Sequence, residues 1–324
     1  MSKQTSRILS SIMFQINRRP SVDIIGAARY RQLLEKSARV FKPDPGIRTD
    51  RFDINGIPAE WLIPKIYTPR SVIFYIHGGG FIAGSIRSHR DLASRLATAA
   101  RAKVLIFDYR LAPEHPFPAG LDDVRQVYSW LLCTCDTDYR ISIAGDSAGG
   151  NLALSLLAEQ SKDSRSLPVC TVLFSPWADL SCSSGSHESN RKKDFMLNKK
   201  TLEATARFYT DQDLSNPLIS PIHHRFEGLP PLLIQVGENE VLLDDSVRLA
   251  NKIKQEGGIV QLEVWNGMFH VWHYFAKYLS EARDAIKDAG RFIQKHTHPS
   301  RETRSPGTES GSVTSGSPAG HSPR

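Results

Sequence analysis

The chain has 324 residues, of which 40% are hydrophobic and 23% charged, enough for one large domain or two small ones and too apolar for wholesale disorder. No apolar run is long enough for a membrane-spanning helix, which excludes stable membrane insertion. The net charge of +7 invites a nucleic-acid reading, but residues 1–51 carry 11 Lys+Arg against 4 Asp+Glu and residues 52–298 sum to −1, so the body is neutral and no nucleic-acid partner is expected.

Residues 8–19 place Ile8, Leu9, Ile12, Met13 and Ile16 on one helical stripe, with Arg18 and Arg19 after it. A second helix is expected over 22–40. Three roles fit this N-terminal segment, 1–50: a helical cap over a pocket, a membrane-surface helix, or a cleaved transit peptide, the first acidic residue being Asp23. A secretory signal does not fit, so a cytoplasmic location is expected. From residue 52 the grammar changes. Asn55-Gly56 predicts a hairpin between strands at 52–57 and 59–63. Apolar strands at 72–76, 103–107, 141–144, 169–174, 232–236 and 260–265 then alternate with helices at 89–100, 119–132, 148–159, 243–255 and 274–295. That alternation predicts an α/β fold, a mostly parallel central sheet with helices on both faces. Residues 180–215 break it, Ser-rich and then helical at 198–209, as an insertion over the functional edge of a 51–298 domain would. The last residues, 299–324, are Ser/Gly/Pro-rich and read as a disordered tail. Cys133, Cys135, Cys170 and Cys182 have neither disulfide nor zinc spacing and read as reduced packing thiols. No metal or cofactor site is expected. The pair His223-His224 reads as a solvated turn.

Gly145-Asp146-Ser147-Ala148-Gly149 matches G-x-S-x-G between a strand and a helix. That context suits a nucleophile elbow: the glycines allow a tight turn and close helix–sheet approach, and the Ser147 hydroxyl stands at a helix N-terminus. His77-Gly78-Gly79-Gly80 follows a strand, and backbone without side chains can turn N–H groups toward one point, as an oxyanion hole requires. Gly78 and Gly79 are taken as donors together with the Ala148 N–H, Gly80 as support, and His77 as the residue holding the loop. A serine hydrolase of this order also needs an acid and then a histidine, each after a late strand. Glu240, Asp244 and Asp245 follow the strand at 232–236; His270 and His273 follow the one at 260–265. His270 is expected at the start of a helix, with His273 on the same face but farther from the elbow. Asp108 and Arg110 suit a mutually paired corner near the glycine loop. The stripe Ile8, Ile12 and Met13, with Trp177, Phe195 and Phe208, is expected to line an apolar pocket.

These motifs, HGGGF at 77–81, DYRLAPEHPFPA at 108–119, GDSAGG at 145–150 and MFH at 268–270, resemble the hormone-sensitive-lipase-like branch of the α/β-hydrolase fold. The resemblance implies Ser147 as nucleophile, His270 as general base, and the glycine loop with Ala148 as oxyanion donors. Many relatives show Asp-Pro-Leu where this chain has Glu240-Val241-Leu242; Glu240 is taken as the acid and Asp244 as the fallback. The implied activity is hydrolysis of short to medium carboxylic esters without cofactor. The segment 236–250 is most similar to acetyl-ester and monoterpene lactone hydrolases, so a lactone substrate is the alternative. The branch is also similar to plant hormone receptors that bind ligand without hydrolysis and lack the triad histidine; here His270 is present. A homodimer through an exposed edge strand near 260–265 is open on the same analogy.

Overall fold

The computed structural model describes residues 22–38, 43–135, 138–160 and 167–297; the stripe at 8–19 and the tail at 299–324 lie outside them. Eight strands form one sheet: β1 (Ile47–Ile54), β2 (Ile57–Pro64), β3 (Ser71–Ile76), β4 (Lys103–Phe107), β5 (Arg140–Asp146), β6 (Thr171–Phe174), β7 (Leu232–Gly237) and β8 (Val260–Trp265), in spatial order β1-β2-β4-β3-β5-β6-β7-β8. From β4 to β8 every pairing is parallel, while β1–β2 and β2–β4 are antiparallel. Asn55 and Gly56 form the hairpin turn with φ of 51° and 89°, and Ile54 pairs with Ile57. The expected first strand at 52–57 therefore ends before the turn, and it begins earlier, at Ile47.

The helices are α1 (Val22–Ala38), α2 (Ile86–Ala100), α3 (Ala119–Thr134), α4 (Ala148–Gln160), the short α5 (Ser186–Ser189), α6 (Lys199–Tyr209), α7 (Leu243–Gln255) and α8 (Ser280–Thr297). Side chains alternate across the sheet. In β3, Val72, Phe74 and Ile76 join the core under α3, α4 and α7, whereas Ile73 and Tyr75 join the core under α2 and α8. Burying both faces is why these strands read as unbroken apolar runs rather than alternating ones. Ser85 starts α2 with a capping box, so the helix begins three residues before the expected 89.

The expected helix at 274–295 is the main departure. Val271 is left-handed (φ 45°), Trp272–Phe275 is one turn of 3-10 helix, and α8 begins only at Ser280. Tertiary contacts override the helical period there. The Tyr274 hydroxyl donates to Asp146 (3.0 Å), His273 bonds to Gln235 (3.0 Å), and the Trp272 ring lies 5.9 Å from Trp265. Those three directions are not compatible with one helical face. No helix among the described residues is long and apolar enough to cross a membrane.

Candidate active site

β5 ends at Asp146 and α4 begins at Ala148, leaving Ser147 alone in the turn with φ 52°. A non-glycine residue in the left-handed region carries strain of order 1 kcal/mol, and the fold over-determines it here. The Ser147 N–H donates to Phe174 O (2.9 Å), and the Ser147 carbonyl accepts from Trp177 N (3.1 Å). A Cβ on Gly149 would stand 2.1 Å from the Ile76 carbonyl, so α4 reaches the sheet only because that residue is glycine. Ser147 itself is 8% exposed.

Residues distant in sequence meet at its hydroxyl. His270 Nε2 lies 3.0 Å from Ser147 Oγ, and His270 Nδ1 lies 2.9 Å from Glu240 Oε2. A carboxylate can only accept, so the ring carries its proton on Nδ1 and leaves Nε2 free to accept from the Ser147 hydroxyl. Glu240 is fully buried, and its other oxygen accepts from Ser175 Oγ (2.7 Å) and Gly237 N (2.5 Å). Burial works against a charged His270. The hydrogen bond and charge of Glu240, then the charges of Asp194 and Asp146, outweigh it and raise the ring above its ordinary 6.5.

Asp244 does not reach His270; it accepts from Ser186 N (2.7 Å) at the start of α7. His273 turns away from Ser147 to Gln235, packed between Phe174 and Trp272, and burial drives it down to about 3. The expectation that it shares a face with His270 fails because no helix joins them.

The turns carrying Glu240 and His270 are stitched together. Glu238 N donates to Trp265 O (2.9 Å), Asn239 N to Met268 O (3.0 Å), and Gly267 N to Glu238 Oε2 (3.0 Å). A Cβ on Gly237 would come 2.4 Å from Met268 O, so the two backbones touch with no side chain between them.

Gly78 corrects the sequence reading. Its N–H donates to Asp146 Oδ1 (3.1 Å) and is committed to the scaffold, not to a ligand. The N–H groups of Gly79, Gly80 and Ala148 make no such bond among the described residues. His77 donates from Nδ1 to Gly78 O (2.8 Å), stacks on Tyr109 at 4.2 Å, and has its own carbonyl held by Tyr109 OH (2.9 Å). Burial, aided by His89, lowers His77 to about 3, so the ring is neutral and braces the loop. Asp146 also accepts from Tyr75 OH (2.8 Å) and Tyr274 OH (3.0 Å), with His89 Nε2 at 3.5 Å. Burial alone would raise its carboxyl, but His89 and the two phenols hold it at about 2. Gly145 is the penultimate residue of β5, where a Cβ would stand 2.7 Å from the Gly149 carbonyl.

Other expectations resolve as follows. Asp108 and Arg110 do not pair: Asp108 accepts from Ile86 N (2.6 Å), and Arg110 binds Asp123 (2.7 Å). Trp177 is fully buried 5.8 Å from Phe81, Phe195 lies 4.4 Å from Phe269 beside His270, and Phe208 packs on the core. Ile8, Ile12 and Met13 lie outside the described residues. Sequence reasoning missed Ser175, Asn190 and Asp194. Asn190 Nδ2 donates to the carbonyls of Glu238 (3.0 Å) and Glu240 (2.9 Å), and Asp194 accepts from Val241 N (2.9 Å). No motif marks them; only the fold brings them to Glu240. Among the described residues no group of three or more His, Cys, Asp or Glu could hold a metal ion.

A serine, a histidine and a buried acid in a hydrogen-bonded row, on the strand ends of an eight-stranded α/β sheet, define a hydrolase class of fold. Residues 73–274 match the family described as the alpha/beta hydrolase fold. An acetyl-hydrolase of Streptomyces hygroscopicus is 42% identical over 249 residues, 76% of this chain and 83% of that protein. An esterase of Acinetobacter venetianus is 34% identical over 277 residues, 85% of this chain and 91% of that one. The crystal structure of an esterase from the bacterial hormone-sensitive lipase family superimposes with a TM-score of 0.86 at 37% identity, covering 92% of this chain and 99% of that one. The chain belongs to the α/β-hydrolase family, in its hormone-sensitive-lipase-like branch.

Proposed function

We propose that Ser147, His270 and Glu240 are the triad of a carboxylic ester hydrolase acting on short to medium acyl chains. The observation that carries this reading is the unbroken row Ser147 Oγ–His270–Glu240, at 3.0 and 2.9 Å. His270 takes the hydroxyl proton through Nε2 as Ser147 Oγ attacks the ester carbonyl carbon. Glu240 keeps the proton on Nδ1 and stabilises the imidazolium. The tetrahedral oxyanion is bound by the uncommitted N–H groups of Gly79, Gly80 and Ala148. His270 then protonates the leaving alcohol, an acyl-Ser147 forms, and water enters by the same route to release the acid. No other group need take part in the proton transfers. The names of the relatives, acetyl-hydrolase and esterase, support the same substrate class.

His270 must be neutral to accept a proton. Its elevated pKa therefore puts the acid limb of kcat/KM above pH 6.5, with activity lost as pH falls through it. The test is hydrolysis of p-nitrophenyl esters from acetyl to dodecanoyl by the wild type and Ser147→Ala. Turnover that peaks at the short chains and drops by at least about 10³-fold in the variant is expected. Lactones run on the same preparations separate the two substrate classes, because in a lactone the alcohol stays attached to the acyl group. Tight ester binding without turnover would leave a ligand-binding protein instead. We propose in addition that a second copy pairs along β8, where Val264 within the strand and Ile259 just before it are exposed. A one-chain mass in light scattering removes that pairing.

A further inference from the structure

Glu240 sits in a turn three residues past the end of a strand, a place where a long side chain has many ways to miss its partner. Its own carboxylate contacts, to Ser175, Gly237 and His270, fix the tip but not the backbone that aims it. The backbone is held from elsewhere. The Glu240 carbonyl accepts from Asn190 Nδ2 (2.9 Å), and the Val241 N–H donates to Asp194 Oδ2 (2.9 Å). Carbonyl and N–H belong to one peptide plane, so a donor and an acceptor from the same segment grip it at both poles. Ser186 Oγ adds a bond to the next carbonyl, Val241 O (2.7 Å).

The grip is rigid at its source. Asp194 Oδ1 accepts from the N–H groups of Met196 and Leu197 (2.9 and 3.1 Å), which locks its side chain, and Asn190 and Asp194 are 4% and 6% exposed. Asp194 makes no ion pair with Lys or Arg among the described residues. The titratable groups acting on it are His270, from the turn after β8, and Glu240, from the turn after β7; those acting on His270 are Glu240, Asp194 and Asp146. A buried carboxylate without a cation is costly unless something rewards its charge. The imidazolium formed on His270 during turnover is such a group.

We propose that Asn190 and Asp194 are positioning residues of the triad: together they orient the Glu240–Val241 peptide, and Asp194 supplies a second buried negative charge that favours the imidazolium of His270. Desolvation, reinforced by Glu240, raises Asp194 to about 6, while His270 is raised above 6.5, so Asp194 ionises before His270 gives up its proton as pH rises. This inference rests on the triad reading above.

The test compares wild type, Asp194→Asn, Asn190→Ala and Ser147→Ala on one p-nitrophenyl ester. Rates are normalised to sites titrated by a fluorophosphonate, so misfolded protein does not count. Asp194→Asn is expected to lower kcat about tenfold with KM within about twofold, and to move the acid limb of kcat/KM to lower pH, because His270 loses an anionic neighbour. Asn190→Ala, which removes no charge, is expected to lower kcat by about the same factor with a smaller movement of the limb. Rates within about twofold of wild type and superimposed limbs overturn the proposal. A lowered kcat with the limb unmoved in Asp194→Asn overturns the electrostatic part of it. If Asp194→Asn yields no titratable enzyme, the kcat of Asn190→Ala decides, and a wild-type value there overturns the grip. Hydrolysis surviving in Ser147→Ala is instead a failure of the triad reading. A dead Ser147→Ala beside wild-type-like Asp194→Asn and Asn190→Ala is a failure of this inference alone.

Discussion

The serine half of the cleft and the acid half are both braced by a buried aspartate, and the two aspartates live under opposite conditions. Behind the serine, Asp146 takes hydroxyl protons from Tyr75 and Tyr274 and an N–H from Gly78, with a histidine ring alongside, and its carboxyl sits at about 2. Behind the acid, Asp194 takes only backbone N–H groups and faces another carboxylate, and it sits at about 6. Burial is deep in both. A histidine acts on each; the difference lies in the other neighbours, the phenol donors that hold Asp146 down and the like charge of Glu240 that adds to burial at Asp194. Asp146 is thus satisfied at rest, whereas Asp194 holds charge that is best satisfied when His270 is protonated.

Breaking the acid half outright has the largest expected effect. Glu240→Gln presents an amide that can hold His270 in the wrong tautomer, and kcat should fall about 10⁴-fold in a steady-state assay, with the fold retained by circular dichroism. Asp146→Asn attacks the other brace. The oxyanion loop loses the anchor of Gly78, and kcat should fall on the order of 10²-fold. The same change tests stability. The folded carboxyl titrates at about 2 against 3.8 unfolded, so its contribution of about 2 kcal/mol is present above pH 3.8 and lost as pH falls toward 2. Denaturant titrations across that range should show acid sensitivity in wild type that the variant lacks. Ser175→Ala sharpens the contrast more gently. It removes the hydroxyl that donates to Glu240 and accepts from Val271 N, and should cost roughly tenfold in kcat with little change in melting temperature.

The smallest effect is one of stability. Asp245 is fully buried, accepts from Ala178 N, Asp179 N and Ser184 Oγ, and is raised by burial to about 7. For an acid whose folded pKa lies above its unfolded one, ionisation opposes folding, so stability declines as pH rises from 3.8 toward 7. Asp245→Asn removes that penalty while keeping an acceptor oxygen, and should raise the melting temperature at pH 8 by roughly 2 °C in calorimetry. A lowered value would mean that the carboxylate is stabilised in the folded chain.

The parts legible in the sequence were those written as local chemistry. A glycine-flanked serine between strand and helix, three glycines after a strand, and apolar runs of strand length each state their own geometry, and the α/β fold follows from their alternation. What was illegible depends on contacts across the fold. Gly78 could be told from Gly79 and Gly80 only once Asp146 was seen to take its N–H. The break before α8 arises from Tyr274 and His273 bonding to strands far back in the chain. Asn190 and Asp194 lie in a polar stretch with no periodicity, and their distance to Glu240 in sequence hides what the fold makes adjacent.

The contact of Gly237 with Met268 bears on how this family can be recombined. Two loops that touch through bare backbone are a single unit of inheritance. In a chimaera whose crossover falls between positions 237 and 270, the acid loop of one parent must seat against the histidine loop of another. Every triad residue would then be present in the text of the gene, and the enzyme would still be silent. Libraries built from relatives should therefore exchange the two loops as a pair.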